Sequence, residues 1–239
     1  RECSYFSALP ALYAIRQYAD GNFDEEKIKA GFQNITGVKF DDFLLLDIPN
    51  KSSGNSDYTK VSNACKSLLY NDCFLGWKDS AIAAEDRIPY NEYADTLRKA
   101  EKRGGKYAYL FEYLSKLCDV LSFKAELGIK TRKAYKHADK TALQGLLSDY
   151  LKAAEKTELF RKSFRELWLG ENRPYGWEVH ELRLGGLRSR ILDCSERLLG
   201  YLRGDCDKIP ELEEEILPYA NWGLQYNNYL RLASLKGLQ

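Results

Sequence analysis

Runs of neighbouring carboxylates are the residues in this sequence whose type and spacing come closest to an acid–base centre. They lie at Asp24–Glu26, Asp41–Asp42 and Glu213–Glu215. A general acid and a general base are two titratable groups whose environments push their pKa values apart. Each run falls at a helix start or on an exposed face, where capping or solvation explains it. We therefore predict that none of the three is catalytic.

Other catalytic patterns are missing or incomplete. A serine nucleophile elbow needs the motif GxSxG, which does not occur in the sequence. A phosphate-binding loop needs glycines between a strand and a helix, and neither Gly104–Gly105 nor Gly185–Gly186 has that setting. A cysteine–histidine pair stays open, because His137 or His180 could meet a thiol in the fold. The sequence thus predicts no complete active site within this chain.

The cysteines are not spaced as metal ligands. They are Cys3, Cys65, Cys73, Cys118, Cys194 and Cys206. None forms a CxxC pair, so we predict no metal site and no other cofactor. Cys118 and Cys194 occupy apolar positions of helical patterns, which is typical of core thiols in a reducing compartment. Three disulfides in a secreted protein are the alternative, although a chain of this length has core enough without them.

Two short segments are unusually rich in charged and aromatic residues. In the first, Glu2 precedes an apolar helix, where it could cap that helix or contact a ligand. The second, Glu171–Leu187, surrounds a helix start, and its candidate interface residues are Tyr175, Trp177, Glu178, His180 and Arg183. Glycine inside a helix costs roughly 1 kcal/mol relative to alanine. Gly185–Gly186 therefore predicts the close approach of another helix, with a functional surface as the alternative.

The charge balance argues against a nucleic-acid partner. Lys and Arg total 36 and Asp and Glu total 35, whereas nucleic-acid binders usually present a clearly basic face. No window approaches the roughly 18 apolar residues of a membrane span, and the first residues do not form a signal peptide. We predict no membrane partner and a cytoplasmic location. Because the chain begins at Arg1 and contains no Met, we expect it to be a piece of a longer protein.

Apolar residues recur at helical spacing almost throughout, so the sequence predicts an all-α fold. Three long helices are expected at about 106–135, 139–169 and 178–202. Because tight polar turns separate them, they should form an antiparallel bundle with several shorter N-terminal helices packed on it. We place the short-helix region at 1–105 and the long-helix bundle at 106–239, within one continuous domain.

Individual helix faces can also be predicted. Asp24 should cap a helix that ends at Gly37 and buries Ile28, Phe32 and Ile35. The inward residues of the second long helix are predicted to be Leu143, Leu146, Leu147, Tyr150, Leu151, Leu159, Phe160, Phe164 and Leu167. The irregular segment Cys73–Trp77 packs either on the core or against a part of the protein that is missing from this chain. Because such a neighbour is missing, we expect Phe6–Tyr13 and Phe74–Trp77 to form an exposed apolar patch.

Four segments together resemble a known family. They are ECSYFSALPALYAIRQYADGNFDEEKIKAGF from Glu2, LLYNDCFLG from Leu68, GKYAYLFEYLSKLCDVLSFKAELGIKTRKAY from Gly105 and ELWLGENRPYGWEVHELRLGGLRSRILDCSERLLGYL from Glu166. They are similar to the C-terminal part of bacterial β-N-acetylhexosaminidases of glycoside hydrolase family 20. The likeness extends from Glu2 to about Leu217, and its last segment is the most specific.

The resemblance implies an all-helical third domain that follows a small α/β domain and a (β/α)₈ catalytic barrel. In this family an Asp-Glu pair on the barrel assists attack by the substrate's own acetamido group, an exception to the usual two-carboxylate scheme. Asp24–Glu25 lacks the sequence context of that pair, so the resemblance gives it no catalytic role. Glu2 matches the glutamate that binds hydroxyls of the terminal sugar in the deepest subsite.

The resemblance also implies the partners. They are the barrel of the same polypeptide, a glycan ending in N-acetylhexosamine that binds through the parent enzyme, and a possible second copy in a homodimer. The chain alone is expected to be inactive. Two other hypotheses stay open. The first is a free-standing helical interaction module, because an aromatic content of 13% would suit a groove that binds a partner. The second is a helical enzyme with an unrecognised site.

Overall fold

The computed structural model describes residues 4–51, 64–76, 79 and 88–216, and every regular element within these ranges is helical. The predicted all-α class is therefore confirmed. None of the described helices is long and apolar enough to span a membrane. Glu2 and Trp77, for which the sequence made predictions, lie outside the described residues.

Short helices make up the first part of the fold. They are a 3₁₀ turn at Tyr5–Ala8, α1 at Leu9–Ala19, α2 at Glu25–Thr36, α3 at Phe40–Leu44, a second 3₁₀ segment at Leu45–Asn50, and α4 at Ala64–Tyr70. Asp24 accepts a hydrogen bond from the Lys27 N–H at 3.2 Å, and Gly37 ends α2 with φ of 78°. Both caps were predicted, because a carboxylate satisfies free N–H groups and glycine tolerates the left-handed conformation.

Longer helices form the bundle. They are α5 at Tyr90–Glu101, α6 at Ala108–Lys124, α7 at Leu127–Lys136, α8 at Lys140–Glu171, α9 at Trp177–Arg203 and the short α10 at Pro210–Glu213. The rings of Tyr113, near the start of α6, and Phe164, near the end of α8, lie 5.3 Å apart, so these two helices run antiparallel. Arg161 on α8 binds Glu181 at the start of α9 at 2.9 Å, which gives the next antiparallel pair. The predicted antiparallel bundle is confirmed.

The first predicted long helix is interrupted, and that prediction was wrong. A turn at Ala125–Glu126 separates α6 from α7 and redirects the chain toward the irregular segment Asp72–Gly76. An added Cβ at Gly128 would lie 3.1 Å from the Cys73 carbonyl oxygen, so glycine permits this close approach. The Glu126 side chain also accepts a hydrogen bond from the Ile88 N–H at 3.3 Å.

Several predicted core positions are exposed. Ile35, Leu151 and Leu159 were expected inward, but their exposed fractions are 67%, 56% and 37%. Each lies on the side of its helix that faces away from the packed neighbours. Ile28 and Phe32 on α2 are buried, as predicted. The remaining apolar residues that were predicted to face inward on α8 are buried or half-buried. Cys118 and Cys194 are fully buried free thiols, as predicted.

Gly185–Gly186 was predicted to allow close approach of another helix, and this was wrong within the described chain. Among the described residues, no atom lies within 4 Å of a Cβ built at either glycine.

The predicted exposed patch is half right. On α1 and the turn before it, Phe6, Leu12, Ile15 and Tyr18 are 40%, 60%, 63% and 51% exposed; with Tyr5 they form what we call the α1 face. Phe74, by contrast, is completely buried. Its ring lies 6.4 Å from that of Tyr150, and the guanidinium groups of Arg190 and Arg197 lie 5.7 Å from its centre.

Candidate functional site

A cleft opens where the beginning of the chain meets the end of α8. Its volume is about 260 Å³, and its walls include Phe6, Tyr109, Glu112, Glu166 and Glu171. Neither Glu112 nor Glu166 forms an ion pair with any other residue that the structure describes. The cleft is thus acidic with an aromatic edge, which suits groups that donate hydrogen bonds.

Glu171 forms a hydrogen-bond network on one side of this cleft. Its Oε1 atom accepts a bond from the Ser4 hydroxyl at 2.6 Å and another from the Tyr109 hydroxyl at 2.8 Å. The Ser4 hydroxyl also accepts from the Phe6 N–H at 3.0 Å, so it caps the first helical turn. Burial, reinforced by the hydrogen bond to Glu171, raises the pKa of Tyr109. This phenol therefore remains a donor at neutral pH.

An aromatic cluster lies beside the turn from α8 to α9. The His180 ring lies 4.9 Å from that of Phe164 and 4.8 Å from that of Trp168, and Trp177 packs 5.5 Å from Phe164. Trp177 and His180 are only 6% and 5% exposed. These two candidate interface residues therefore belong to the packed interior and shape the surface from beneath.

The other three candidate interface residues are more accessible. Tyr175 is 89% exposed in the turn before α9, and Arg183 is half-buried. Glu178 is exposed, and its side chain accepts a hydrogen bond from the Gly176 N–H at 2.8 Å. Gly176 has φ of 97°, a conformation that side-chain-bearing residues rarely adopt. Tyr175 thus lies exposed in the turn between α8 and α9, with Trp177 and His180 buried near it.

Comparison with protein families identifies the fold. Residues 41–228 match the family described as the Glycoside Hydrolase 20C C-terminal domain. The chain belongs to this family. A search of the curated proteins found no match to the sequence. The match confirms the resemblance seen in the sequence, and it assigns the chain to a helical domain associated with family 20 glycoside hydrolases.

The carboxylate runs of this glycoside hydrolase domain have structural partners. Asp24 caps α2, Asp42 binds Arg103 through two hydrogen bonds of 2.7 and 3.1 Å, and Glu213 accepts from the Tyr135 hydroxyl at 2.6 Å. No group of three or more His, Cys, Asp or Glu side chains among the described residues is arranged to hold a metal ion.

A buried polar centre around Asp72 was missed by sequence reasoning. The Asp72 carboxylate accepts from the N–H groups of Phe74 and Leu75 at 2.8 and 2.9 Å, and from Arg190 at 2.8 and 3.1 Å. Burial alone would raise the pKa of Asp72, but the hydrogen bonds and charge of Arg190 outweigh it and lower this pKa. From the sequence, Asp72 at the start of the irregular segment could be predicted to form a local turn. Its ion pair with Arg190 could not be predicted, because the two residues are 118 positions apart.

Asp79 lies next to this centre in a different environment. Its side chain accepts a hydrogen bond from the Asn71 amide at 2.7 Å and is buried. Burial is the main cause that raises the pKa of Asp79 to about 6. The two acids of the same segment are therefore shifted in opposite directions.

Proposed function

We propose that this chain is the helical C-terminal domain of a β-N-acetylhexosaminidase. The parent enzyme would remove terminal N-acetylglucosamine or N-acetylgalactosamine through substrate-assisted catalysis in a (β/α)₈ barrel of the same polypeptide. This domain supports that barrel and has no turnover by itself. The family match is the observation that carries the proposal, because it links the chain to glycoside hydrolases of family 20.

The α1 face supports the proposed contact with the barrel. Only Pro10 is buried among the residues of α1, and the helix packs against α2 through the edge-to-face contact of Tyr13 with Phe32. Its outer side presents Leu12 and Ile15, both more than half exposed. Contiguous exposed apolar residues of this kind mark surfaces that another protein unit covers. A domain that precedes residue 4 in the polypeptide joins the chain directly beside this face.

Two further parts of the proposal concern ligand and assembly. Glu2, by its family resemblance, would contact hydroxyls of the terminal sugar at the junction with the barrel. The surface around Tyr175, Glu178 and Arg183, with Trp177 and His180 beneath it, would form a contact between two copies of the enzyme. A monomeric parent in light scattering would contradict the second part.

The alternative is a free-standing helical interaction module without catalysis. The same exposed α1 face favours it, because such a face could bind a separate protein. The two functions differ in whether an enzyme activity accompanies the domain.

The test compares the parent polypeptide with the 239-residue chain on a chromogenic N-acetylglucosaminide. We expect turnover by the parent and none by the chain. Leu12→Glu together with Ile15→Glu should lower the stability of the parent by about 2–3 kcal/mol, because charge would be buried where apolar area is covered. Leu151→Glu, at a similarly exposed leucine of α8, is the matched control. A parent without glycosidase activity would favour the interaction module.

A further inference from the structure

The cleft between α6, the end of α8 and the chain start contains three carboxylates. Glu112, Glu166 and Glu171 line it, and none of them forms an ion pair with another described residue. Glu112 is half-buried, and the Oε2 atom of Glu171 is buried without a hydrogen-bond partner among the described residues. Like charges repel one another more strongly where water is partly excluded. The cleft therefore carries negative charge that the described residues do not balance.

A hydroxyl on the wall of the same cleft is also unused. Ser163 lines the cleft and is only 8% exposed, yet its hydroxyl has no hydrogen-bond partner among the residues that the structure describes. The buried helical hydroxyls of Thr131 and Thr157, by contrast, each donate to the carbonyl four residues earlier, at 2.8 and 2.7 Å. A buried hydroxyl without a partner costs free energy. Ser163 thus indicates, independently of charge, that a group from outside the domain completes the cleft.

The cleft walls determine what kind of group fits. Carboxylates come from two sides, Glu112 on α6 and Glu166 on α8, and the rings of Phe6 and Tyr109 lie at the edge. An arginine guanidinium has five donors in one plane, pairs with carboxylates through parallel hydrogen bonds and stacks on aromatic rings. A lysine ammonium is a compact point charge that does not match this planar arrangement. The guanidinium of an arginine side chain therefore fits this cleft best.

The position of the cleft indicates where the arginine comes from. Phe6 lines the cleft and also belongs to the α1 face, so the acidic and the apolar surfaces are continuous. Ser4 is bound to Glu171 beside the cleft, so the polypeptide that precedes residue 4 joins the domain here. A unit tethered at this point has a high effective concentration at both surfaces. Protein interfaces commonly combine an apolar core with arginine anchors.

We propose that the cleft is the binding site for an arginine side chain of the catalytic domain that precedes residue 4. The guanidinium pairs with Glu112 and Glu166 and donates a hydrogen bond to the Ser163 hydroxyl. The α1 face supplies the apolar area of the contact, and the charge pairing fixes the relative orientation of the two domains. The inference rests on the proposed function and names the chemistry by which the helical domain recognises the barrel.

The first test makes the same substitutions in two proteins and measures thermal unfolding by calorimetry. Glu112→Gln with Glu166→Gln removes two charges and keeps the shape. In the 239-residue chain, this double variant should unfold no earlier than the wild type, because repulsion is relieved. In the parent, it should lower the unfolding temperature of the helical domain by about 5 °C, because the arginine loses its partners. Glu155→Gln with Glu196→Gln, at two exposed glutamates, is the matched control and should change neither protein.

The second test uses ethylguanidinium as a probe of the cleft in NMR titrations. In the isolated chain, the probe should shift the amide signals of Ser163 and Gly170, which line the cleft. Glu112→Gln with Glu166→Gln should weaken this binding about tenfold, because both charged acceptors are lost. In the parent the probe should not bind, because the arginine competes for the same groups.

The two tests separate the inference from the proposed function. Probe binding to both proteins would indicate a site for free cations and would overturn the inference, as would binding to neither. A parent double variant as stable as the matched control would overturn it too. An inactive wild-type parent in the glycosidase assay would instead refute the proposed function, whatever the result of the titrations.

Discussion

The α1 face and the segment Asp72–Gly76 look alike in sequence but differ in the fold. Both are apolar stretches that we predicted from the sequence to be exposed to solvent. Leu12 and Ile15 on α1 are more than half exposed, whereas Phe74 is fully buried. The difference lies in the polar groups nearby. The irregular segment has its N–H and carbonyl groups bound by Asp72 and by Arg132 of α7, so bundle helices close over it.

Truncation of one apolar residue in each region gives the largest contrast. Phe74→Ala should lower the free energy of unfolding of the isolated chain by about 3–5 kcal/mol, because it leaves a cavity in the core. Leu12→Ala should change it by no more than about 0.5 kcal/mol, because its surroundings are open. Urea denaturation of both variants measures the difference. Similar losses would mean that α1 is also covered in solution.

The next largest effect on stability is expected when Arg190, which pairs with the buried Asp72, is replaced. Arg190→Met should cost about 2–3 kcal/mol, because Asp72 would stay buried without its charged partner. Arg188→Met changes an exposed arginine of the same helix and serves as the control. An Arg190→Met variant as stable as this control would show that packing around Phe74, and not the ion pair, holds the segment.

The pH dependence of stability isolates Asp79. Because burial raises its folded pKa from 3.8 to about 6, the protonated carboxyl favours the folded state. This contribution is complete below pH 4 and is lost as the pH rises through about 6. Between pH 4 and 7, the free energy of unfolding of the wild type should therefore fall by up to about 3 kcal/mol relative to that of Asp79→Asn.

Denaturation of both proteins across this pH range measures the Asp79 effect. Asp207→Asn, at an exposed aspartate, should follow the wild-type curve throughout. Parallel curves for wild type and Asp79→Asn would indicate that Asp79 has an ordinary pKa and is reached by solvent.

Local signals in the sequence were sufficient for much of the fold. The caps at Asp24 and Gly37 and most of the apolar face of α8 follow from hydrogen-bonding needs and helical spacing, which act within a few residues. The break at Ala125–Glu126 could not be predicted in this way, because the residues in contact with this turn, Ile88 and Cys73, lie far away in the chain. The family was recognisable because Glu166–Leu202 carries a long and specific pattern.

The candidate cleft was outside the reach of such reasoning. Glu171 was part of a segment marked as unusual, yet its partners Ser4 and Tyr109 lie 167 and 62 residues away. Each of these three residues alone has an ordinary explanation. Only their arrangement in space distinguishes them from other polar residues at helix ends.

The guanidinium group of Arg132 has a consequence for how the chain folds as it is made. It donates hydrogen bonds to the carbonyl oxygens of Glu211, Leu212 and Glu214 at 3.0, 2.9 and 2.7 Å. A ribosome delivers Arg132 about eighty residues before these acceptors. During that interval the Arg132 guanidinium can bind the carbonyl of Phe74, which is already made, but lacks these three acceptors. The short α10 and the residues beside it therefore complete an interior that the preceding helices cannot finish by themselves.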